Sequence, residues 1–508
     1  MNYSIIRYIL SSVVCFEGVF LALPSIIGAI YGEEEGFIYG IVSIICILAG
    51  FAGRYRKPKS NTFYSREGFV AVSLSWILLS IIGALPLCLT GEIPFYIDAL
   101  FEIVSGFTTT GASIMPSVEI LSHASAFWRL FTHWIGGMGV LVFIMAVLPL
   151  SGGSNMHLMR AESPGPSVSK LVPRVKHTAM ILYGIYCIIT IMETAALLIA
   201  GMKFFDALTL SFATAGTGGF ALLNSSIASY SAAVQNIITV FMLACSVNFN
   251  VYYLLLIRKG KEALLNEEVR YFLIIVFASA LLIALNIMGS FGSFFEAFHH
   301  SIFQVASVIS TTGFATCDFN MWPEFSRAIL VLLMFVGACA GSTGGGLKIS
   351  RLIILAKAVK NEARSIVHPR SVNRVRINGK GIQDSAVKTV LVYLAAYVLI
   401  VIISFLIVSL DRYDMTTNFT AVAATFNNIG PGLGAVGATG NYGGFSVLSK
   451  LVLIFDMLIG RLEIFPMLVL LSPGTWRVRQ SSSTKDVDNT TSFLYNLVVD
   501  LSTIGGLL

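Results

Sequence analysis

Charge is the scarcest property of this chain: only 12% of its 508 residues are Asp, Glu, Lys or Arg. Soluble domains carry about a quarter, so an ordinary water-exposed globule is excluded. The seven cysteines (Cys15, Cys46, Cys88, Cys187, Cys245, Cys317, Cys339) lie scattered, mostly in apolar segments. They lack metal-ligand spacing and read as small hydrophobes. The histidines (His123, His133, His157, His177, His299, His300, His368) are equally dispersed. Only His299 and His300 are adjacent, and neighbours on a helix point to different faces. A membrane-embedded enzyme or sensor needs a polar catalytic cluster, so the chain reads as a non-enzyme. His133 reads as a helix-packing or pore-adjacent residue.

Apolar sequence is abundant instead. Hydrophobic residues make up 56% of the chain, its mean hydropathy is +0.81, and many runs reach the ~20 residues that cross a bilayer as a helix. Ten spans are expected, at 5–31, 37–53, 67–90, 126–150, 177–200, 230–257, 268–290, 324–353, 384–410 and 446–471. The first lacks a small-residue cleavage site and reads as a retained helix. Lys and Arg collect after the second span (Arg54, Arg56, Lys57, Lys59), the fourth (Arg160, Lys170, Arg174, Lys176), the sixth (Arg258, Lys259, Lys261) and the eighth (Arg364, Arg370, Arg374, Arg376, Lys380). The positive-inside rule makes these loops cytoplasmic, and with ten spans both termini as well. The net charge of +6 is therefore a topology signal, not a nucleic-acid surface. The Glu33-Glu34-Glu35 loop lies on the opposite side.

Four glycine loops recur on that opposite side: TTTGA at 108–112, AGTGG at 215–219, STTGF at 310–314 and NNIGP at 427–431. Their pivots, Gly111, Gly218, Gly313 and Gly430, stand 95 to 117 residues apart. Recurrence of one supersecondary unit outweighs any single motif. Before each loop runs a stretch too short to span (95–107, 203–214, 293–309, 415–426). These read as half-helices whose C-terminal dipole ends face the loop and favour a cation. Glycine lets backbone carbonyls turn to a common axis, and irregular backbone survives at membrane depth only where it is buried in protein or lines water. The expected fold is an all-α polytopic membrane protein of four pseudo-symmetric outer-helix, pore-half-helix and inner-helix units around one pore, after two extra N-terminal helices. The expected divisions are 1–60 for the helix pair, 61–160, 161–265, 266–380 and 381–479 for the units, and 480–508 for a tail. Asp98 and Asp206, near half-helix starts, read as helix caps. Glu102 either tunes the outer mouth or hydrogen-bonds nearby backbone.

Two features lie in the inner helices. Gly341-Ser342-Thr343-Gly344-Gly345-Gly346, followed by Lys348 and Arg351, interrupts span 324–353, because glycine costs a helix about 1 kcal/mol each. A phosphate-binding loop needs a preceding strand and Lys followed by Ser or Thr, whereas Ile349 follows Lys348. The segment reads as a gate. Arg461, with Asp456 and Glu463 nearby, costs about 2.5 kcal/mol or more in a span unless partnered or facing water. It either pairs with Glu463 or another helix, or projects into the permeation path. Glu17 and Glu193 read as packing carboxylates near an interface.

FEIVSGFTTTGAS (101–113), WRLFTHWIGGMG (128–139), FQVASVISTTGFATCDFNMWP (303–323), GACAGSTGGGLK (337–348), NNIGPGLG (427–434) and GRLE (460–463) resemble signatures of the Trk/Ktr/HKT superfamily of potassium transporters, and its TrkH-like branch in particular. The resemblance covers about 1–475. It implies K+ as the transported ion, with Rb+ or Na+ as possible substitutes, no covalent cofactor, a homodimer with one pore per subunit, and cytoplasmic nucleotide-binding TrkA-like regulatory subunits. Carried over by position, it implies that Thr109, Thr110, Gly111, Gly216, Thr217, Gly218, Thr311, Thr312, Gly313, Asn428, Ile429 and Gly430 coordinate K+. Gly341 to Gly346 with Lys348 form the gate and Arg461 opposes it. A serine at the first filter glycine accompanies Na+ permeation in that family, so Gly111 speaks for K+ over a Na+-permeable or cotransporting relative. Cys245-Ser246-Val247 stands where the family has a glycine pair, which questions the flexibility of the second inner helix. The tail after Arg479 has no counterpart and is either disordered or a partner-binding addition.

Overall fold

A computed structural model describes residues 1–56, 65–139, 175–369 and 374–476. The tail at 480–508, much of the basic stretch after the fourth span, and the unit boundaries at 60, 160 and 479 lie outside these.

The two N-terminal helices, Tyr3–Tyr31 and Glu35–Arg54, form an antiparallel hairpin. Gly32 closes the first at φ +73°, its N–H donating to Gly28 O, the usual left-handed glycine stop. Small residues bring the two backbones together, as expected where lipid-facing helices associate by close packing. A Cβ on Gly28 would lie 2.5 Å from Gly36 Cα.

Four units follow. Their outer helices are Ser65–Gly83, Val175–Ile199, Glu267–Ile287 and Asp384–Val408. Their half-helices are Tyr96–Phe107, Phe204–Gly216, Phe294–Ile309 and Met415–Phe426, within two residues of the expected ranges. Their inner helices begin at His123, Ala232, Glu324 and Val447. Ser122, Ser231 and Ser446 cap three of these, each accepting a backbone N–H one turn on, which is the residue type and geometry of an N-cap.

The inner helices depart from the expected continuous spans. Among the described residues, six helices are long and apolar enough to cross a bilayer unbroken: the N-terminal pair and the four outer helices, three of them with short extensions. The second inner helix stops at Ser246 and restarts as Phe249–Leu256, bent by 91°. Val247 is extended and Asn248 caps the new segment, so the missing glycine pair does not keep this helix straight. The third runs Glu324–Val336 and resumes as Ile349–Val367. The fourth stops at Leu462 and resumes as Ile464–Leu471, with Glu463 at φ +64°. In the first, the described helix ends at Gly137 and Gly139 has φ +80°. Between the third and fourth units, Arg376–Ile377 and Lys380–Gly381 form a small antiparallel hairpin.

Candidate functional site

Each half-helix ends in the same wound turn. Thr110, Gly218, Thr312 and Ile429 donate N–H back to Ser105, Ala213, Ser307 and Ala424, at 2.8, 2.8, 2.9 and 2.8 Å. These are the six-to-one closures of a Schellman end. The residue before each, Thr109, Thr217, Thr311 or Asn428, is left-handed at φ +54° to +60°. A β-branched threonine there costs of order 1 kcal/mol or more, and such outliers persist where surrounding structure enforces them. The residue after each is a glycine at φ +77° to +94°: Gly111, Gly219, Gly313 and Gly430.

This repeat corrects the register of the second loop. Conformation places Gly219, not Gly218, opposite Gly111, and Gly218 in the position of Thr110. The matching triplet is Thr217-Gly218-Gly219, one residue beyond Gly216-Thr217-Gly218. With two glycines adjacent, spacing alone pointed to the wrong one.

The four loops close a ring. A Cβ on Gly111 would strike Gly218 O at 2.1 Å, on Gly219 it would strike Thr312 O at 1.8 Å, on Gly313 Ile429 O at 2.0 Å, and on Gly430 Thr110 O at 2.5 Å. Each loop's glycine thus abuts the next loop's central carbonyl, and the fourth returns to the first. Thr109, Thr110, Thr217, Thr311, Thr312 and Asn428 are fully buried. Above the ring lies a cavity of about 120 Å³ lined by Gly111, Gly219, Gly313 and Gly430 together with Arg129.

Side chains behind the ring fix its shape. The His133 Nδ1 donates to Gly106 O (2.7 Å) and its Nε2 accepts from Phe220 N (3.1 Å), which settles the tautomer and ties the first half-helix to the second loop. Glu102 accepts from Arg129 Nε (2.5 Å), Ser113 Oγ (3.0 Å) and Ile114 N (3.0 Å). Arg129 in turn donates to Ala221 O (3.1 Å) and stacks 3.5 Å above the Phe220 ring. Tyr442 donates its hydroxyl to Gly430 O (2.7 Å), and Asn428 Nδ2 reaches Thr110 Oγ1 (3.0 Å) and Met457 O (2.9 Å). Sequence reasoning passed over Arg129 and Tyr442, although an arginine amid WRLFTHW carries the same intramembrane-charge signal as Arg461. Asp98 is not a cap: Phe95 holds that position, and Asp98 pairs with Lys450 at 2.6 Å. Nor is Asp206, since its half-helix begins from Lys203 without a side-chain cap. Glu17 and Glu193 are buried among packed helices, at 1% and 0% exposure.

Directly beneath the ring lies the 337–348 segment, glycine-rich as expected and non-helical throughout. Gly345 N donates to Thr311 Oγ1 at 2.6 Å. A Cβ on Gly344 would meet Ser310 O at 2.8 Å, and one on Gly345 would meet Asn427 O at 2.7 Å. The segment also satisfies the carbonyls freed by the broken second inner helix: Cys339 N bonds Ser246 O (3.1 Å), and Thr343 Oγ1 bonds Cys245 O (3.2 Å). Phe249 N bonds Gly341 O in return (3.0 Å). Buried Lys348 curls back so that its Nζ donates to Gly344 O. Ser342 Oγ donates to Cys339 O at 2.6 Å and Gly346 holds φ +75°.

Arg461 lies between the loop and the end of the first inner helix. Its guanidinium donates to Thr343 O (2.6 Å) of the loop and to Gly136 O (2.5 Å) and Gly137 O (2.7 Å) at the end of the first inner helix. Glu463 instead receives Arg351 at 2.6 Å, and that guanidinium lies 4.0 Å over Tyr393. Asp456 receives Ser404 Oγ at 2.7 Å. Among the described residues no group of three or more His, Cys, Asp or Glu could hold a metal ion.

A family model described as a cation transport protein, TrkH, matches residues 37–475. The Trk system potassium uptake protein TrkH of Escherichia coli K12 is 36% identical over 473 residues, covering 92% of this chain and 97% of its own. TrkI of Halomonas elongata is 32% identical over 467 residues, covering 90% and 94%. The crystal structure of the potassium transporter TrkH from Vibrio parahaemolyticus superposes with a TM-score of 0.84 at 33% identity, covering 94% of this chain and all of that one. With the glycine loops, the broken inner helices and this length of shared sequence all in agreement, the chain belongs to the TrkH family of cation transport proteins.

Proposed function

We propose that this chain is the ion-conducting subunit of a Trk-type system and carries K+ inward across the cell membrane. The observation that carries the reading is the closed ring, in which each loop's glycine meets the next loop's carbonyl. Half-helix dipoles give the ring a partial negative character, and its backbone carbonyls replace the hydration shell of a bare cation. The coordinating set is Thr109 to Gly111, Thr217 to Gly219, Thr311 to Gly313 and Asn428 to Gly430. The four ring glycines favour K+ over a Na+-permeable relative.

The 337–348 segment is the gate. It lies under the ring, fastened to the filter by Gly345 and to the opposite wall by Arg461. Opening separates the loop from at least one of these anchors. Transport needs no catalytic site in this chain, because each K+ entering a cytoplasm-negative cell gains about 2.3 kcal/mol per 100 mV, and the chain's named relatives are transporters, not enzymes. The Lys- and Arg-rich helix ends face the cytoplasm, as do both termini. We extend the reading to a homodimer with one pore per subunit, gated by cytoplasmic nucleotide-binding TrkA-like subunits.

Rubidium flux into liposomes holding the purified protein tests the reading. Uptake that persists against excess Na+ and is displaced by K+ is expected; equal displacement by Na+ and K+ overturns the K+ assignment.

A further inference from the structure

A large cavity lies on the outer side of the bent second inner helix, lined by Asn248 and by Ala340 of the 337–348 segment. It encloses about 1350 Å³ between the bent tail of the second inner helix, the start of the third outer helix and the small hairpin. That exceeds the roughly 300–1,000 Å³ of ordinary ligand pockets. Two facts place it at a membrane surface. The third outer helix begins its span here, at Glu267, and the Phe249–Leu256 tail turns 91° from the 15-residue inner helix before it, which suits a segment laid along the membrane plane as interfacial helices are. Its apolar lining includes Ile257, Leu265, Tyr271 and Ile274, each 44% to 67% exposed and so open to acyl chains.

The other end of the cavity is polar. Its three carboxylates are already engaged: Glu262 with Lys259 at 3.3 Å, Glu267 with Lys357 and with Asn378 N at 3.1 Å, and Glu268 with Ala340 N at 2.7 Å. Arg270 and Lys380 stay exposed on the rim, beside the exposed Arg258 and Lys261. Basic pockets between spans at this depth suit lipid phosphates. We propose that this cavity binds a phospholipid with a net negative headgroup, its phosphate held by Arg270 and Lys380 and its acyl chains along Tyr271 and Ile274.

The site reaches the gate. Glu268 at its floor holds Ala340, and the tail on its wall donates from Phe249 N to Gly341 O. A lipid spanning tail and outer helix binds best while the tail is bent, so it shifts the population towards the arrangement with the loop under the ring. Anionic lipid therefore lowers flux. This direction rests on the gate reading above, whereas binding itself does not.

The test uses full-length protein and two charge-matched double variants, Arg270→Gln with Lys380→Gln, and Lys360→Gln with Lys388→Gln at exposed positions outside the cavity. Native mass spectrometry after mixing with phosphatidylglycerol, phosphatidylethanolamine or phosphatidylcholine reads retention. Selective retention of phosphatidylglycerol by the wild type and the Lys360/Lys388 variant is expected, with loss on the order of tenfold in the Arg270/Lys380 variant. Equal retention in both variants, or equal retention of phosphatidylethanolamine, overturns the site. Rubidium flux in phosphatidylcholine vesicles with and without phosphatidylglycerol reads the coupling. Inhibition by phosphatidylglycerol in the wild type and its relief in the Arg270/Lys380 variant alone is expected. If retention follows the expected pattern while flux ignores the lipid, the site stands and its link to the gate falls.

Discussion

Replacing Arg461 by glutamine removes a clamp between two elements that have no covalent reason to stay together. The guanidinium bonds Thr343 O on one side and Gly136 and Gly137 O on the other, all at 2.5 to 2.7 Å. Hydrogen bonds to a charged group contribute roughly 1.5–3 kcal/mol each. When the loop leaves its place the bond to Thr343 must break, whereas Gly136 and Gly137 belong to the wall. Losing that one bond shifts the loop equilibrium by the same 1.5–3 kcal/mol, which is roughly 10- to 150-fold in population. A second effect acts in the same direction, because a positive charge about 4 Å from a passing K+ raises its energy by about 4 kcal/mol at an effective dielectric of 20. Arg461→Gln should therefore raise rubidium uptake by at least roughly tenfold in liposomes, with ion preference unchanged. Arg461→Lys keeps the charge but has no planar fork to reach both sides, so its flux should fall between the two. Thermostability of the same purified variants separates gate from scaffold. Unchanged or lower flux with a clear drop in melting temperature would refute the reasoning and make Arg461 a packing residue.

Gly219→Ala forces a Cβ to within 1.8 Å of Thr312 O at φ +81°; K+ over Na+ discrimination in flux assays should fall sharply, while Gly184→Ala, with open space around it, should behave as wild type. Alanines at Gly344, Gly345 and Gly346 cannot fit beneath Ser310 and Asn427, so flux should rise with the Rb+/Na+ ratio unchanged, and an altered ratio would instead place this segment in the filter. Partial burial alone would push the Glu33 carboxyl up, yet hydrogen bonds from the His123 backbone and ring and from Ala124 N hold it below the usual range. Its stabilisation is therefore complete above the unfolded carboxylate value of about 4.3 and fades as pH falls through the lower folded value. Thermal melts of Glu33→Gln should lie below wild type at pH 7 and converge with it in acid, and a constant gap across pH would dissociate Glu33 from that effect.

The half-helices and glycine loops were legible because a short apolar stretch ending in Thr-Gly can neither span nor remain helical, and four repeats exposed the rule. The register of the second loop was not, because Gly218 and Gly219 are both permissive and only the left-handed turn at Thr217 decides between them. The third inner helix announced its break through its glycines. The second did not: Ser246-Val247-Asn248 carries no strong breaker, and its 91° bend is held by tertiary bonds from Cys339 and Thr343 to the carbonyls of Ser246 and Cys245. The break at Glu463 is similar, with Arg351 from the third unit holding the carboxylate of a left-handed residue. In both cases the partner lies about 100 residues away in sequence, so no local pattern could announce it. Sequence thus marks the glycine-rich loop, while its anchors are set by contacts between units. Those anchors converge on one loop, with Arg461 from the fourth unit, Cys245 and Ser246 from the second, and Thr311 from the third each holding part of 339–345. A change in any of these three units therefore reaches the same loop, which under the gate proposal gives it several points of control without a dedicated wire between them.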